Sequence, residues 1–391
     1  MELDYGLTEE QLMMRDVARE LADKKIRPVA AEYDEKNTFP WEVFKEIAAS
    51  DLCGVYIPDE YGGAGGKTPI MNMCIVVEEL SKACAGISLS FAATGLGTIP
   101  IILHGSDEQK KKYLPDIASG KKIAAFAITE ANAGSDASAI ETVAKKDGDS
   151  YILNGTKQWI SNGEVAETYT VFAMTDKTKG ARGASAFIVE KGTPGFTFGK
   201  KEDKMGIRAS STRELVFQDC RVPAANMLGK PGRGFMIAMD TFNASRPGVA
   251  AQAVGIAAGA LDLAVKYACT RKQFGKPVMA NQGLGFLLAD MAMKVEAARA
   301  LTYATARTVD KGEGRPTKYS AMAKCFASDT AMQVATDAVQ VYGGYGYMRE
   351  YPIEKYMRDA KITQIYEGTN QIQRDEIAKA LMKEAVSGKD D

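Results

Sequence analysis

The sequence predicts an α+β protein made of a helical, a β-rich and a second helical region. Helical hydrophobic spacing runs over residues 1–120, short strand-like segments replace it over 121–230, and long helices return over 231–391. Because no helices separate the strands, alternating βαβ units are disfavoured, and a small antiparallel sandwich or barrel is expected in the middle. The length of 391 residues also favours two or three domains.

The first region carries four helix signals. Thr8-Glu9-Glu10-Gln11 and Ser106-Asp107-Glu108-Gln109 are capping boxes, in which a hydroxyl side chain and a glutamine three residues later satisfy the first backbone N–H groups. Pro40-Trp41 predicts a further helix start, and the apolar residues of 71–82 predict another helix.

The second region is expected to begin with a hairpin. Asp147-Gly148 separates strand-like runs at 142–145 and 151–153, which is a strong hairpin signal. The remaining predicted strands are 168–174, 184–189, 196–198 and 214–217. The third region contains predicted helices at 248–271, 283–311, 317–341 and 370–385.

Composition excludes several classes of function. The 49 Lys and Arg residues balance 50 Asp and Glu residues, which argues against nucleic-acid or membrane-surface binding. None of the six cysteines forms a Cys-x-x-Cys pair, so they are interpreted as reduced core residues and no metal site is expected. We expect no signal peptide, no apolar run near the roughly 20 residues of a membrane span, a cytoplasmic location, and a frayed tail over 387–391.

His104 is the only histidine of the chain. A Ser-His-Asp mechanism, a multi-histidine metal site or a histidine proton relay must therefore use His104 or be absent. Its place at the end of the apolar run 101–104 favours a structural or surface role.

Two glycine-rich segments resemble nucleotide-binding loops without matching them. Residues 62–68 lack the first glycine of a Walker A loop, because Tyr61 stands there, and a mobile surface loop is the preferred interpretation. Residues 343–347 lack the third glycine of the dinucleotide pattern, because Arg349 stands there. A Rossmann nicotinamide enzyme is therefore disfavoured.

Without histidines, proton chemistry falls to other groups, and Glu367 is the strongest candidate. It follows Ile365-Tyr366 and precedes Gly368, so apolar surroundings would raise its pKa and the glycine would allow a ligand to approach the backbone closely. The alternative is a surface glutamate at a helix start, with Thr369 or Asn370 as the cap.

Two further segments have the chemistry of a ligand site. The segment 126–136 combines an apolar strand with a Gly/Ser/Thr-rich turn that can offer N–H and hydroxyl groups to a phosphate. In Trp159-Ile160-Ser161-Asn162-Gly163, the indole could stack on a flat ring while Ser161 hydrogen-bonds to its edge. The alternatives are an ordinary turn and a core tryptophan.

Taken together, these segments resemble the acyl-CoA dehydrogenases, over essentially the whole chain and closest to the short- and medium-chain, butyryl-CoA dehydrogenase-like branch. The motifs that carry the resemblance are 126–136, 159–163, Ser245-Arg246-Pro247, Arg271-Lys272-Gln273-Phe274-Gly275, Gln340-Val341-Tyr342-Gly343-Gly344, Arg358-Asp359-Ala360 and Ile365-Tyr366-Glu367-Gly368-Thr369.

The resemblance implies an N-terminal helical domain (1–120), a middle β domain (121–230) and a C-terminal four-helix bundle with the catalytic glutamate (231–391). It implies noncovalent FAD, a homotetramer built as a dimer of dimers, and α,β-dehydrogenation of a short-chain acyl-CoA to the trans-2-enoyl-CoA. Electrons would pass to electron-transfer flavoprotein.

The resemblance also implies residue roles. Glu367 would remove the α-proton while the β-hydride passes to the flavin. The residues implied to bind FAD are Phe126, Ile128, Thr129, Ser135, Trp159, Ile160, Ser161, Thr369 and Gln371, and, from a neighbouring subunit, Arg271, Gln273, Phe274, Gln282, Gln340, Val341, Gly343 and Gly344. Those implied to bind substrate are Ser135, Asn243, Arg246, Tyr366 and Gly368.

Two departures from the family pattern stand out. Asn243 and Ser245 occupy positions where medium-chain relatives often have Asp and Thr, so the CoA contact of Asn243 loses a charge. Ala131 replaces a common proline, which leaves the turn at 131–134 less rigid.

Several alternatives remain open. The substrate could be medium-chain, branched or alicyclic, and an enoyl-CoA reductase or an acyl-CoA oxidase could use the same fold. A non-catalytic subunit that binds CoA or flavin is the alternative from another class, and an intact Glu367 argues against it. The acyl pocket is expected to draw on the helices around 75–100, near Phe91 and Leu96, and on 248–251.

Overall fold

The computed structural model describes residues 3–387, so the first two residues and the tail from Gly388 lie outside the described residues. The N-terminal helices are α1 (Glu9–Leu21), α2 (Ala30–Lys36), α3 (Trp41–Ala49), α4 (Pro69–His104) and α5 (Asp107–Ala118). Both predicted capping boxes are confirmed, because Thr8 and Ser106 accept the N–H groups of Gln11 and Gln109.

The longest N-terminal helix, α4, extends far beyond the predicted 71–82. It continues through a non-helical residue at Cys84 and through Pro100 to His104. Most of its side chains are buried. A helix that is apolar on all sides has no amphipathic period, so its second half was not visible as a pattern.

Eight strands form the central sheet, in the order β6-β7-β3-β2-β4-β5-β8, with β1 also paired to β4. They are β1 (Ala124–Ala127), β2 (Val143–Asp147), β3 (Ser150–Ser161), β4 (Thr168–Met174), β5 (Ala184–Glu190), β6 (Phe196–Lys201), β7 (Thr212–Pro223) and β8 (Met227–Leu228). The predicted hairpin joins β2 to β3.

The sequence predicts an antiparallel sheet, but the observed sheet also contains parallel pairs. β1 pairs with β4 in parallel, and β2 touches β4 in parallel at one residue pair, while the other pairings are antiparallel. The β2–β3 hairpin lies between β1 and β4 in the chain. This long connection allows β4 to enter the sheet in the same direction as β1.

The C-terminal helices are α6 (Gly234–Thr270), α7 (Gln282–Asp310), α8 (Thr317–Tyr342), α9 (Ile353–Thr363) and α10 (Asn370–Ser387). Two short strands, β9 (Lys272–Gln273) and β10 (Lys276–Pro277), pair between α6 and α7. All four predicted helices are present, but α6 begins earlier than residue 248 because it runs through Pro247. The helix α9 was not predicted.

The expectation of no apolar run long enough for a membrane span is wrong by length and composition. Both α4 and α6 contain an 18-residue window of high mean hydropathy, 1.7 and 1.6, with few charged residues. In each window 78% of the residues are buried inside the protein, as in the core helices of soluble proteins.

Three other expectations can be compared with the structure. The glycine loop at 62–66 packs against Ile57: Gly65 N donates to Ile57 O at 2.8 Å, and a Cβ on Gly63 would lie 2.0 Å from the same oxygen. Five cysteines are buried and free, but Cys269 is exposed and is not a core residue. His104 ends α4 with its Nε2 3.1 Å from Asp240, in a partly buried contact.

The helices α4 and α6 approach each other at two glycines. A Cβ on Gly255 would lie 2.3 Å from the carbonyl oxygen of Glu78, and one on Gly259 would lie 2.3 Å from that of Lys82. Both pairs are four residues apart, so they lie on one face of each helix. The two backbones can be this close only because α6 carries no side chain at these positions.

We expect Gly255→Ala to lower the free energy of unfolding by about 1–3 kcal/mol, since a methyl group must push two backbones apart. Gly285→Ala on α7 is the control, because nothing lies within 4 Å of its added Cβ and alanine favours helix. Denaturant unfolding measures both. Equal stability of the Gly255 variant and the wild type would contradict this account of the α4–α6 contact.

Candidate active site

Glu367 lies in the turn between α9 and α10, in a left-handed backbone conformation with φ 52°. Gly368 follows with φ 92°. A left-handed conformation is unfavourable for a residue with a side chain and is usually held by its surroundings. Here it turns the chain so that Glu367 lines a cavity instead of continuing a helix.

The Glu367 turn is held by side chains from three helices. Ser245 Oγ donates to Glu367 Oε2 at 2.5 Å, and Arg246 Nε donates to the Glu367 carbonyl oxygen at 3.3 Å. Gln373 Nε2 donates to the carbonyl oxygens of Glu367 and Gly368 at 3.1 and 2.9 Å. Lys324 Nζ donates to the Gly368 carbonyl oxygen at 2.8 Å.

Burial raises the pKa of the Glu367 carboxyl above its ordinary value. The hydrogen bond from Ser245 and the charges of Arg246 and Lys324 oppose this rise without cancelling it. A carboxylate with a raised pKa is a stronger base than an exposed one, which suits proton abstraction near neutral pH. The alternative of a surface glutamate does not describe Glu367, although Thr369 Oγ does accept the Ile372 N–H at 3.3 Å, as a cap would.

The cavity has a volume of about 350 Å³ and lies between α4, α6 and the Glu367 turn. Its apolar end is formed by side chains and backbone of the two helices that pack at the glycines: Met73, Val77, Leu89, Ala92, Ala93, Leu96, Gly248 and Val249. Leu96 was expected there, but Phe91 is not in the lining. Its ring packs edge-on against Tyr56 in the core, with centroids 5.7 Å apart.

Gln252 and Tyr366 form a polar pair in this part of the lining. The Tyr366 hydroxyl donates to Gln252 Oε1, and Gln252 Nε2 donates to the Ala85 carbonyl oxygen at 3.3 Å. The side chain of Gln252 is 1% exposed. The pair therefore ties the residue before Glu367 to both α4 and α6.

Two predicted cofactor segments line the same cavity, although they come from different strands. Phe126, Ile128 and Thr129 lie at and just after the end of β1, and Trp159, Ile160 and Ser161 end β3. They are joined where Gln158 N donates to the Thr129 carbonyl oxygen at 2.9 Å. The structure therefore brings these six residues together.

A buried ion pair supports this junction. Lys157 Nζ lies 2.6 Å from Glu130 Oε1 and donates to the Ile128 carbonyl oxygen at 3.0 Å, with its side chain fully buried. Glu130 also accepts the N–H groups of Glu141 and Thr142 at 2.6 and 3.0 Å. Although burial alone raises the pKa of Glu130, the Lys157 ammonium and these donors hold it below its usual value.

Next to this ion pair, β3 departs from regular pairing with β7. The register shifts between Lys157 and Ile160, and Trp159 adopts a left-handed conformation with φ 58°. The indole remains 54% exposed. The bulge therefore turns a large aromatic face toward the cavity instead of burying it in the core.

A second cavity contains another group of predicted cofactor residues. Its predicted lining residues are Arg271, Gln273, Val341, Gly343 and Gly344. Among the described residues, none lines both this cavity and the one at Glu367. A single chain therefore does not bring the two groups together.

Residues near this second cavity are strongly exposed. Phe274 is 97% exposed in a left-handed conformation with φ 52°. Gln282 begins α7, and Gln340 lies two residues before the end of α8, both exposed.

The remaining predicted residues lie in three different places. Ser135 is exposed in the turn that lines it, and Gln371 is exposed in the first turn of α10. Asn243 lines a third cavity, of about 380 Å³, which shares Arg246 with the first. The third cavity is also lined by three exposed arginines, Arg182, Arg233 and Arg315.

Comparison with known proteins identifies the family. Residues 8–121, 125–220 and 232–382 match the N-terminal, middle and C-terminal domains of acyl-CoA dehydrogenases. This chain belongs to the acyl-CoA dehydrogenase family. The expected family and fold class are therefore confirmed, and the chain is an FAD-dependent oxidoreductase.

Two curated relatives indicate the chemistry found near this sequence. The short-chain specific acyl-CoA dehydrogenase of Megasphaera elsdenii is 50% identical over 97% of this chain and 100% of its own length. The NADH-dependent acryloyl-CoA reductase of Anaerotignum propionicum is 49% identical over 97% of this chain and 96% of its own.

Solved structures give the same architecture. Butyryl-CoA dehydrogenase from Megasphaera elsdenii superimposes with a TM-score of 0.94 at 48% identity, covering 98% of this chain and all of that one. A chain from a structural study of the electron transferring flavoprotein of Acidaminococcus fermentans superimposes with a TM-score of 0.94 at 51% identity, covering 97% of this chain and 100% of that one.

The first cavity of this acyl-CoA dehydrogenase fits a flavin. The aromatic side chains of Phe126 and Trp159 and the hydroxyl side chains of Thr129 and Ser161 line one space. Aromatic faces suit a flat ring system, and hydroxyl groups suit its polar edge. Packing within the chain does not account for the exposure of the Trp159 indole, which a bulge with a left-handed residue keeps at the cavity.

Sequence reasoning missed several residues that the structure places in the site. Gln252, Lys324 and Gln373 received no role, although all three hold the Glu367 turn or the residue before it. One signal was present for Lys324, because it shares the apolar face of α8 with Ala327 and Ala331. A lysine on a buried helix face indicates a specific polar partner, because lysine is rarely buried without one.

Proposed function

We propose that this chain catalyses the α,β-dehydrogenation of a short-chain, butyryl-like acyl-CoA to the trans-2-enoyl-CoA and passes the electrons to electron-transfer flavoprotein. The observation that carries the proposal is the Glu367 carboxylate, which has a raised pKa and lines the same cavity as the apolar residues of α4 and α6 and the flavin-compatible segments. The short-chain relatives and the flavoprotein study support the substrate and the acceptor.

In this proposal Glu367 removes the α-proton of the thioester. FAD, when bound, supplies the hydride acceptor for the β-carbon. The backbone N–H of Glu367 is proposed to stabilise the enolate-like carbonyl oxygen, as donors aimed at a developing charge do. Tyr366 and Gly368 line the thioester end, and Arg246 orders the turn through its hydrogen bond to the Glu367 carbonyl oxygen.

The proposed FAD site uses residues of two subunits. One set is Phe126, Ile128, Thr129, Ser135, Trp159, Ile160, Ser161, Thr369 and Gln371. The other set, from a neighbour, is Arg271, Gln273, Phe274, Gln282, Gln340, Val341, Gly343 and Gly344. The separation of the two cavities in one chain and the exposed Phe274 support this division. We therefore propose a homotetramer built as a dimer of dimers.

Charged and polar groups at the mouth are proposed to bind CoA. Ser135 lies on one side of the mouth, and Asn243 and Arg246 lie toward the third cavity. The arginines there could pair with phosphate groups, which arginine binds well because of its forked geometry. Because the net charge of the chain is −1, the attraction of the anionic CoA must come from these few arginines and not from a generally basic surface.

The Gln252–Tyr366 pair supports a short acyl chain. Both residues line the cavity beside apolar residues of α4 and α6, and their hydrogen bonds hold them in place. We propose that medium-chain, branched and alicyclic acyl groups would need this pair to move aside. We also propose a cytoplasmic location, supported by six free cysteines.

The reverse reaction is a second candidate, because the acryloyl-CoA reductase is as similar as the dehydrogenases. The same residues would serve, with the Glu367 carboxyl returning a proton to the α-carbon. Initial rates in the two directions with electron-transfer flavoprotein would separate the candidates.

We expect Glu367→Gln to retain FAD and its yellow colour but to lose turnover of butyryl-CoA by at least about 10²–10⁴-fold, since the amide cannot accept the proton. Anaerobic bleaching of the flavin by butyryl-CoA measures the step. In the wild type, turnover should fall as the pH decreases through the raised pKa of Glu367, because only the carboxylate is a base.

Glu32→Gln is the matched control, because the same amide replaces an exposed glutamate on α2 that pairs with Lys36 and lines none of the three cavities. It should bleach at nearly the wild-type rate. An active Glu367→Gln variant would place the base elsewhere. If no acyl-CoA bleaches the wild-type flavin, the enzymatic proposal fails and a non-catalytic subunit remains.

We expect Gln252→Ala to move the chain-length preference toward longer substrates, because it removes the buried amide between Tyr366 and Ala85. The ratio of kcat/KM for hexanoyl-CoA to that for butyryl-CoA should rise about tenfold or more, as expected when a pocket accommodates further methylene groups. Phe91→Leu is the control, because Phe91 packs on Tyr56 outside the cavity lining. An unchanged ratio would remove Gln252 as the determinant.

We expect the two groups of FAD residues to complement each other between subunits. Arg271→Glu and Trp159→Ala should each lower FAD content as separate proteins. When the two variants are co-expressed and pair at random, about half of the pairs are mixed, and each mixed pair contains one intact site of two. FAD should therefore be recovered in about a quarter of all sites. Sedimentation should give four subunits. Failure to recover any FAD would contradict a site shared between subunits.

A further inference from the structure

Lys324 places an ammonium group deep in the C-terminal helices. Its side chain on α8 is fully buried, and its Nζ donates to the Gly368 carbonyl oxygen at 2.8 Å and to Asn370 Oδ1 at 2.9 Å. Both acceptors are neutral. A buried ammonium is costly unless its partners compensate, so packing alone is a poor reason for a lysine at this position.

The two acceptors of Lys324 lie on either side of Thr369, directly after the proposed base. Gly368 has φ 92° and Glu367 has φ 52°, so two consecutive residues hold a left-handed conformation. The Gly368 carbonyl oxygen receives both Lys324 Nζ and Gln373 Nε2. These donors restrain the Gly368–Thr369 peptide, and Gln373 Nε2 also donates to the Glu367 carbonyl oxygen, so the backbone directly after the proposed base is held in place.

Asn370 extends this support to the rest of α8. Its Nδ2 donates to Ser328 Oγ at 2.8 Å and to Asp329 Oδ1 at 2.7 Å. Lys324 thus belongs to a network that ties the start of α10 to α8. Within this network, Lys324 is the member that contacts the Glu367-Gly368 turn directly.

The charge of Lys324 also acts on Glu367. It lowers the pKa of the Glu367 carboxyl, in the same direction as Ser245 and Arg246 and against burial. Burial lowers the pKa of Lys324 itself to about 7. The charged or titratable groups that act on Lys324 are Glu367 in the turn, Arg246 on α6, and Cys325 and Asp329 on α8.

We propose that Lys324 is a positioning residue for α-proton abstraction: its ammonium holds the Glu367-Gly368 turn in its left-handed conformation and favours the carboxylate form of Glu367. This inference rests on the proposed function of Glu367. Lys324 itself is not among the residues that line the cavity, so it acts through the turn and not on the substrate.

The test compares Lys324→Met, Lys324→Gln and Lys324→Arg in the FAD-bound protein. We expect Lys324→Met to lower kcat for butyryl-CoA about 10–100-fold while KM changes little, because the base is misaligned but the pocket remains. The acid limb of the kcat/KM profile should move to higher pH by about one unit, since a positive charge near Glu367 is gone.

The other two variants separate charge from hydrogen bonding. Lys324→Gln keeps a donor without the charge, so its acid limb should also move to higher pH even if kcat is partly rescued. Lys324→Arg keeps the charge, so its acid limb should stay near that of the wild type. Lys324→Gln also serves if the methionine variant does not fold.

Lys318→Met is the matched control on the same helix, because Lys318 pairs with Glu384 and not with the Glu367 turn. Its acid limb and kcat should match those of the wild type. Folded Lys324 variants with a wild-type kcat and acid limb would overturn the inference. That result together with an inactive Glu367→Gln variant would leave the proposed function standing, whereas an active Glu367→Gln variant would remove both.

Discussion

The close packing of α4 against α6 positions both the cavity and the residues that hold Glu367. Gly255 and Gly259 let the α6 backbone approach the carbonyl groups of α4 without an intervening side chain. Other residues of the same two helices line the apolar end of the cavity. Ser245 and Arg246 are carried on α6 as well, so this contact also sets their distance from the Glu367 turn.

Around that cavity, a few charged side chains are buried, and each has defined polar partners. Lys157 pairs with Glu130 beneath the Trp159 bulge, while Arg246 and Lys324 point at carbonyl oxygens of the Glu367 turn. A low-dielectric interior strengthens each of these contacts and penalises any that is left incomplete. This explains how proton chemistry can proceed in a chain with one histidine, which lies at the end of α4 against Asp240.

Local signals predicted much of the fold, and their failures have physical causes. The capping boxes at Thr8 and Ser106 and the hairpin at Asp147-Gly148 depend on neighbouring residues, so they were visible in the sequence. The second half of α4 was missed because it is apolar on every side. The parallel pairing of β1 with β4 was missed because strand partners are chosen by the whole sheet.

Residue type and short spacing are enough to predict the three-part α+β layout, the family motifs and Glu367 as the candidate base. The surroundings of that base, in contrast, depend on how distant segments pack. Ser245 and Glu367 are 122 residues apart, and Lys324 and Gly368 are 44 apart, yet each pair is within hydrogen-bonding distance. Such contacts form only when the helices pack against one another. The burial that raises the pKa of Glu367, and the packing on Tyr56 that keeps Phe91 out of the cavity lining, therefore cannot be read from a local segment.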